Sequence, residues 1–324
     1  MNWFILYALL FFLSFILTTL VRKYALRRDY CIDIPNDRSS HVTPTPRGGG
    51  LAFVLSFLLG IVICFRFAVL SYELFFALVV IGVGLAALGF VDDNLNLSAK
   101  FKFGMQFLLS IISLCLLGFF QPTMLPWQIS FAVIFYMLWM INLYNFMDGI
   151  DGYVVMQTMF VTATLAIFYP SISIVALCLF FATFGFGLWN FPKAKIFMGD
   201  VGSVFLGGIL SILSIYLLMY ANNVIVPWFI LMALFLADAS ITLLKRIYNK
   251  ERFWEAHRQH AYQCLTRRFN SHVMVTLLGL GINICYLLPL AYLTIQGSFS
   301  PMLGFLLAYV PLATAILWCK SKDF

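Results

Sequence analysis

Eleven stretches of this chain run almost free of charge: residues 2–21, 48–65, 72–91, 103–120, 128–146, 153–169, 172–189, 203–221, 225–246, 272–294 and 300–318. A helix needs roughly 20 apolar residues to cross a hydrocarbon core, and these runs have about that length. Inside a bilayer every backbone N–H and C=O must be satisfied within the protein, which leaves helices or a closed barrel. The alternating polarity of a barrel is missing. With 63% hydrophobic and 10% charged residues, against roughly a quarter charged in soluble domains, the sequence predicts an all-α polytopic membrane protein. We expect about ten or eleven transmembrane helices in a single domain over residues 1–324.

The basic residues orient that bundle. If the stretch from Arg22 is cytoplasmic, 19 of the 20 Lys and Arg fall on the same side and only Arg66 lies outside, as the positive-inside rule requires. The N-terminus is then outside. The first run has no basic residue before it and no small-residue cleavage site, so it reads as a retained helix. A net charge of +7 follows from topology and anionic lipid, without nucleic acid as a partner. Seven cysteines without a CxxC pair argue against a disulfide framework or structural zinc.

Polar chemistry gathers on one face. Of 13 acidic residues, only Glu73 is outside and only Asp238 lies well within a run; the rest share the cytoplasmic side with all four histidines. A transporter needs polar groups on a path open to both sides, so the asymmetry favours an enzyme. The rival, an ion-coupled transporter, would use Asp238, which equally suits a structural bond through Ser240 or Thr242.

Asp92 and Asp93 close the third run in "VDDNLN". Carboxylates at a helix C-terminus oppose its dipole, and neighbours on a helix point about 100° apart, so two different roles are expected: one for a metal, one for a proton. In "NLYNFMDGIDG", Asn142, Asn145, Asp148 and Asp151 recur every third residue, which marks a polar pocket at a helix end. "FMGDVGS" sets Asp200 between glycines before the eighth run, where free N–H groups receive an anion and the carboxylate can reach Mg²⁺. "DIPNDRSSHVTPTPRGGG" offers Arg38, Ser39, Ser40, His41 and Arg47 as a phosphate-gripping loop. "AHRQHAYQ" places His257 and His260 three apart, able to share a helix face and suited to oxyanion binding or proton transfer rather than zinc. With Arg252 and Arg258 they gather positive charge for a sugar phosphate.

Taken in order, these motifs resemble those of the polyprenyl-phosphate N-acetylhexosamine-1-phosphate transferases, the superfamily of the MraY translocase and the WecA-type enzymes. The resemblance spans nearly the whole chain and includes "KFGMQ" and "NFPKAKIFMGDVGS". It implies transfer of a sugar 1-phosphate from a UDP-sugar to undecaprenyl phosphate, releasing UMP, with Mg²⁺ or Mn²⁺. It implies that Asp92 and Asp93 are catalytic with Asn145, and that Asp200, with Asp92, holds the metal. Lys102 and Gln106 would lie near the lipid phosphate. Gly149, Asp151, Asn190 and Phe197 would form the nucleotide pocket, Phe197 stacking on uracil and Asp151 bonding to it. We expect Asp93 to deprotonate the lipid phosphate. Asn96 stands where the family's DDxxD pattern has its third acid, and the His loop lacks the triple histidine of the peptidoglycan enzyme. UDP-MurNAc-pentapeptide is therefore disfavoured as donor. The O-antigen-initiating branch is the nearer match, with UDP-N-acetylglucosamine or UDP-N-acetylfucosamine as donor. The expected setting is a bacterial inner membrane with a cytoplasmic active site, and a homodimer is compatible with it.

Overall fold

The computed structural model describes residues 2–28, 31–34, 43–120, 127–221, 223–251 and 257–321. All eleven apolar runs fold as helices. In chain order the elements are α1 (Trp3–Arg28), β1 (Ile32–Asp33), β2 (Thr45–Pro46), α2 (Gly50–Arg66), α3 (Tyr72–Leu95), α4 (Ala99–Leu116), α5 (Trp127–Met147), α6 (Tyr153–Phe168) and α7 (Ser173–Asn190). They continue with α8 (Asp200–Tyr220), α9 (Ile225–Leu231), α10 (Ala233–Tyr248), α11 (Ala261–Phe269), α12 (His272–Ile282), α13 (Leu288–Ile295) and α14 (Pro301–Ser321). A π turn, Asn283–Leu287, joins α12 to α13.

The protein is a multi-pass, all-α membrane protein. Among the described residues eight helical segments are long and apolar enough to cross a membrane, and α9 with α10, bent by 77°, makes a ninth. The expected ten or eleven spans are reached only when the shorter α2 and α6, 17 and 16 residues long, are counted too. α6 stops at Phe168 because the residue before Pro170 is steered out of the helical region.

α8 is the axis of the bundle. Of its most apolar window 89% is buried, against 22% for α4 and α14, and it packs against α3 on one side and α5 on another. Apolar side chains gain little by leaving lipid for protein, so close backbone approach at small residues has to hold such helices together. A Cβ at Gly207 would stand 2.4 Å from the Met140 carbonyl oxygen of α5. The β1–β2 ribbon, antiparallel with Ile32 opposite Pro46, leads into a second backbone clasp. Phe197 donates its N–H to the Pro46 carbonyl at 2.8 Å, and Gly49 and Gly50 donate to the carbonyls of Phe197 and Met198 at 3.0 and 2.9 Å. That clasp fixes the chain entering α8 against the start of α2.

Candidate active site

The C-terminal turn of α3, the N-terminus of α8 and the ends of α4 and α5 meet around a cavity of about 630 Å³. Asp92, Lys102, Gln106, Asn142, Asn145, Asp148, Gly149, Asp200, His257 and His260 line it, and Phe103, Phe135, Leu138, Trp139 and Leu243 form an apolar wall. Residues from five separate motifs thus come together here.

Its centre is an ammonium between two carboxylates. Lys102 Nζ lies 2.6 Å from Asp92 Oδ2 and 4.0 Å from Asp200 Oδ2. Asn145 donates to Asp200 Oδ2 at 3.0 Å, and Asn142 donates to Gln106 Oε1 at 2.8 Å. The other Asp92 oxygen accepts the Leu97 N–H at 2.8 Å, which holds the chain as it leaves α3 through a left-handed Asn96. Asn96, the substituted third acid of the motif, therefore serves the backbone turn.

The adjacent aspartates part as helical geometry requires. Asp93 does not line the cavity; its oxygens accept the N–H groups of Asp200 and Val201 at 3.1 and 3.2 Å. These are orphan donors at the start of α8, so Asp93 caps that helix from another one. Gly199, at φ +74°, makes room for it: a Cβ there would sit 2.6 Å from Asp93 Oδ2. The expectation of Asp93 as proton acceptor meets a carboxylate already engaged on both oxygens.

Three of the four residues expected around a nucleotide lie outside the cavity lining: Asp151 between α5 and α6, Asn190 at the end of α7 and Phe197 on the α7–α8 connection. Asn190 is buried and spends its amide on the Ile196 carbonyl and the Gly152 N–H, at 3.0 and 3.1 Å. Asp151 accepts the Ala194 N–H at 2.9 Å and lies 3.1 Å from His272 Nδ1. Phe197 is half-buried beside the backbone clasp. Arg47 pairs with Asp33 at 2.7 Å. Arg38, Ser39, Ser40, His41 and Arg252 lie outside the described residues.

The two histidines do not share a helix face. α11 begins at Ala261, leaving His260 as its N-cap and His257 in the preceding loop, with their rings 4.8 Å apart. Burial, then the charges of His260 and Arg246, lowers His257 to about 4, so it is neutral at pH 7 and adds hydrogen bonding rather than charge. Asp238 explains the arrangement. Its oxygens accept the N–H groups of Ala261 and Tyr262 at 2.8 and 3.0 Å and the Thr242 hydroxyl at 3.1 Å, while Oδ1 stands 3.6 Å from His260 Nδ1. Of the two expected partners, Ser240 and Thr242, Thr242 bonds to it; the start of α11 was not expected, because no apolar run foretells that helix.

Sequence reasoning placed Asp148 in a polar pocket without a chemical task and passed over Tyr262. Burial, then the charge of Asp200, raises Asp148 well above the usual carboxylate range. Tyr262 donates to the Phe146 carbonyl at 2.9 Å and stacks on Tyr153, tying the His loop to the end of α5. The three-residue period through Asn142 and Asn145 did signal Asp148. Nothing in the sequence marked Tyr262 beyond its place in "HAYQ".

A family model described as glycosyl transferase family 4 matches residues 75–218. The chain is 30% identical over 279 residues to a probable undecaprenyl-phosphate N-acetylglucosaminyl 1-phosphate transferase of Bacillus subtilis (strain 168), covering 81% of this chain and 76% of that protein. It is 33% identical over 204 residues to a phospho-N-acetylmuramoyl-pentapeptide-transferase of Staphylococcus epidermidis (strain ATCC 12228 / FDA PCI 1200), covering 54% of this chain and 63% of the relative.

Proposed function

Because this chain belongs to glycosyl transferase family 4, in the superfamily of MraY and WecA-like enzymes, we propose that it transfers a hexosamine 1-phosphate from a UDP-sugar to a polyprenyl phosphate. One observation carries the reading: a cavity that joins an ammonium and two carboxylates to an apolar wall. Such a cavity suits a lipid whose phosphate head must meet a second anion.

In the proposed reaction an oxygen of the acceptor phosphate attacks the sugar-bearing phosphorus of the donor. A P–O bond forms there, the bond to the bridging oxygen breaks, and that oxygen leaves on UMP. Phosphoryl transfer depends mainly on positioning and charge neutralisation. A phosphate monoester loses its second proton near pH 6, so at pH 7 the acceptor is largely dianionic without a strong base. That frees Asp93 to act as a positioning residue, fixing the α8 N-terminus and with it Asp200. Lys102 and the Gln106–Asn142 pair receive the acceptor phosphate. Neutral His257 meets the donor's phosphates, while the first N–H groups of α8 are taken by Asp93 and the Gly199 carbonyl.

Among the described residues no group of three or more His, Cys, Asp or Glu side chains could hold a metal ion. Mg²⁺ does not require one, since it takes one or two carboxylates and completes its shell with water and substrate phosphates. Asp92 and Asp200 meet that need: carboxylates from two helices already share a cation, the Lys102 ammonium. Bound there, Mg²⁺ or Mn²⁺ would supply charge neutralisation for the diphosphate and the departing UMP.

For the donor we favour UDP-N-acetylglucosamine or a 6-deoxy relative. The N-acetylglucosaminyl relative aligns over 81% of this chain and the pentapeptide transferase over 54%. The acceptor on this reading is undecaprenyl phosphate, the place a bacterial inner membrane with the cavity on its cytoplasmic side, and the product a start for O-antigen or a related polysaccharide. Transport through Asp238 loses its residue, since that carboxylate is taken by the start of α11. Purified protein in detergent should release UMP only when a UDP-sugar, a polyprenyl phosphate and Mg²⁺ are all present. A panel of UDP-sugars then ranks donors; no UMP with any of them sinks the proposal.

A further inference from the structure

α9 and α10 form one span broken at Met232, with a bend of 77° between them. Sharp kinks have identifiable causes: a proline, a Gly/Ser pair, a π-bulge, or a side chain inserted into the helix's own hydrogen-bond ladder. The break reads "FILMALF" and holds no proline, glycine or serine. No π turn interrupts it, and Pro227 lies in the first turn of α9, where its missing N–H is tolerated. The cause lies in another helix.

Gln157 of α6 supplies it. Its Nε2 donates to the carbonyl of Leu231, the last residue of α9, at 3.1 Å, and approaches the Met232 sulfur at 4.0 Å. Met232 takes φ −92° and ψ −1°, and α10 leaves in a new direction. The amide is itself aimed: Asn283, the first residue of the π turn, donates to Gln157 Oε1 at 2.7 Å. Both side chains are 0% exposed. Amides at such depth in a membrane bundle bond across helices, since no water is there to receive them.

The bend decides where α10 arrives. Beyond it lie Asp238, which holds the N–H groups of Ala261 and Tyr262, and Leu243 of the cavity's apolar wall. We propose that Gln157, aimed by Asn283, imposes the α9–α10 bend and is a positioning residue for the acceptor side of the cavity. The second half rests on the transferase reading above; the first does not.

The test uses the full chain with Cys31, Cys115, Cys285 and Cys319 replaced by serine, which keeps the three buried cysteines. Ile225→Cys and Tyr248→Cys, at positions 51% and 87% exposed, carry spin labels at the two ends of the span. At a rise of about 1.5 Å per residue, those ends lie about 28 Å apart with the 77° bend and about 35 Å apart in a straight helix. With Gln157 intact the labels should report one narrow distance. Gln157→Met, of similar volume but without the donor, should move the distribution toward the longer value. Asn283→Leu, which leaves the amide unaimed, should broaden it. Thr162→Val, a control that removes a buried hydroxyl bonded within α6, should change nothing. In unlabelled protein, Gln157→Met should raise the KM for polyprenyl phosphate about tenfold, the scale of one apolar side-chain contact, at nearly constant kcat. Wild-type distances in both Gln157→Met and Asn283→Leu overturn the proposal, as does an equal shift in Thr162→Val. A shifted distance with an unchanged acceptor KM overturns the positioning role. If wild type releases no UMP, the transferase reading falls, while the distances still decide what bends the span.

Discussion

The reaction cavity and the α7–α8 connection both draw polar residues from recognisable motifs, yet they spend them differently. Around the connection, Asn190 at the end of α7 and Asp151 between α5 and α6 give their hydrogen-bonding capacity to backbone groups of the same protein. In the cavity, Asp92, Lys102, Asn145 and Asp200 bond mainly to one another, beside an open volume. Buried polar groups that build a wall are satisfied by the wall, while groups kept for chemistry leave charge facing space. The contrast predicts that cavity substitutions cut turnover at nearly constant stability, and that substitutions at internally satisfied carboxylates do the reverse.

The largest effect should come from Asp200. Asp200→Asn removes half of the carboxylate pair while an amide of the same shape keeps the fold. Turnover should fall about 10³-fold, the upper range for one preorganised electrostatic group, and added Mg²⁺ should restore part of it. Undiminished turnover would break the comparison at its strongest point. Lys102→Gln comes next, with a loss of about 10²-fold, expressed chiefly as a raised KM for the polyprenyl phosphate. An unchanged acceptor KM would take Lys102 out of acceptor binding.

Asp93 sharpens the comparison because it neighbours Asp92 in sequence and belongs with the satisfied groups in space. In Asp93→Asn one amide oxygen must serve two N–H donors. Losing a helix cap costs about 0.5–2 kcal/mol, so a melting-point drop and roughly tenfold slower turnover are expected, with an unmoved pH profile and no rescue by Mg²⁺. A loss of 10²–10⁴ with a shifted acid limb is the signature of a general base and would return the proton to Asp93.

Much of this was legible because membrane helices announce themselves. All eleven apolar runs folded as helices, two of them broken into a pair, and the motif glycines showed where chain had to pass close to chain. What stayed hidden depended on distance in sequence. "DD" states that two carboxylates adjoin, but not that one would turn toward α4 and the other cap α8, 107 residues away. Asp238 read as bonding through Ser240 or Thr242 because its other partners belong to α11, a short helix with Arg267 and Arg268 in its last turn and no apolar run to reveal it. His257 and His260 suggested a shared face because their spacing was read as helical; the helix begins only at Ala261, after both.

Asp238→Asn tests that anchor. The amide cannot accept from Ala261, Tyr262 and Thr242 as the carboxylate does, and a buried donor left unsatisfied costs about 1–3 kcal/mol. Thermal stability should fall clearly, while the donor KM rises only as far as the His loop loosens. A variant with wild-type stability would mean that Asp238 is not the anchor.

The smallest effect concerns His257, where the sign can be worked out. The folded protein holds this proton only below about pH 4, against an ordinary 6.5 for histidine. Between those values the unfolded chain binds more protons than the folded one, so stability rises with pH across that window and levels off above it. Acidifying from pH 7 to pH 5 should therefore lower the melting temperature of wild type more than that of His257→Gln, which has no proton to gain. Turnover measured between pH 6.5 and 8 should show the same pH dependence in both, because His257 is neutral throughout. An acid limb present in wild type and absent in His257→Gln over that range would make the imidazole a charged participant and place it with the groups the cavity keeps for chemistry.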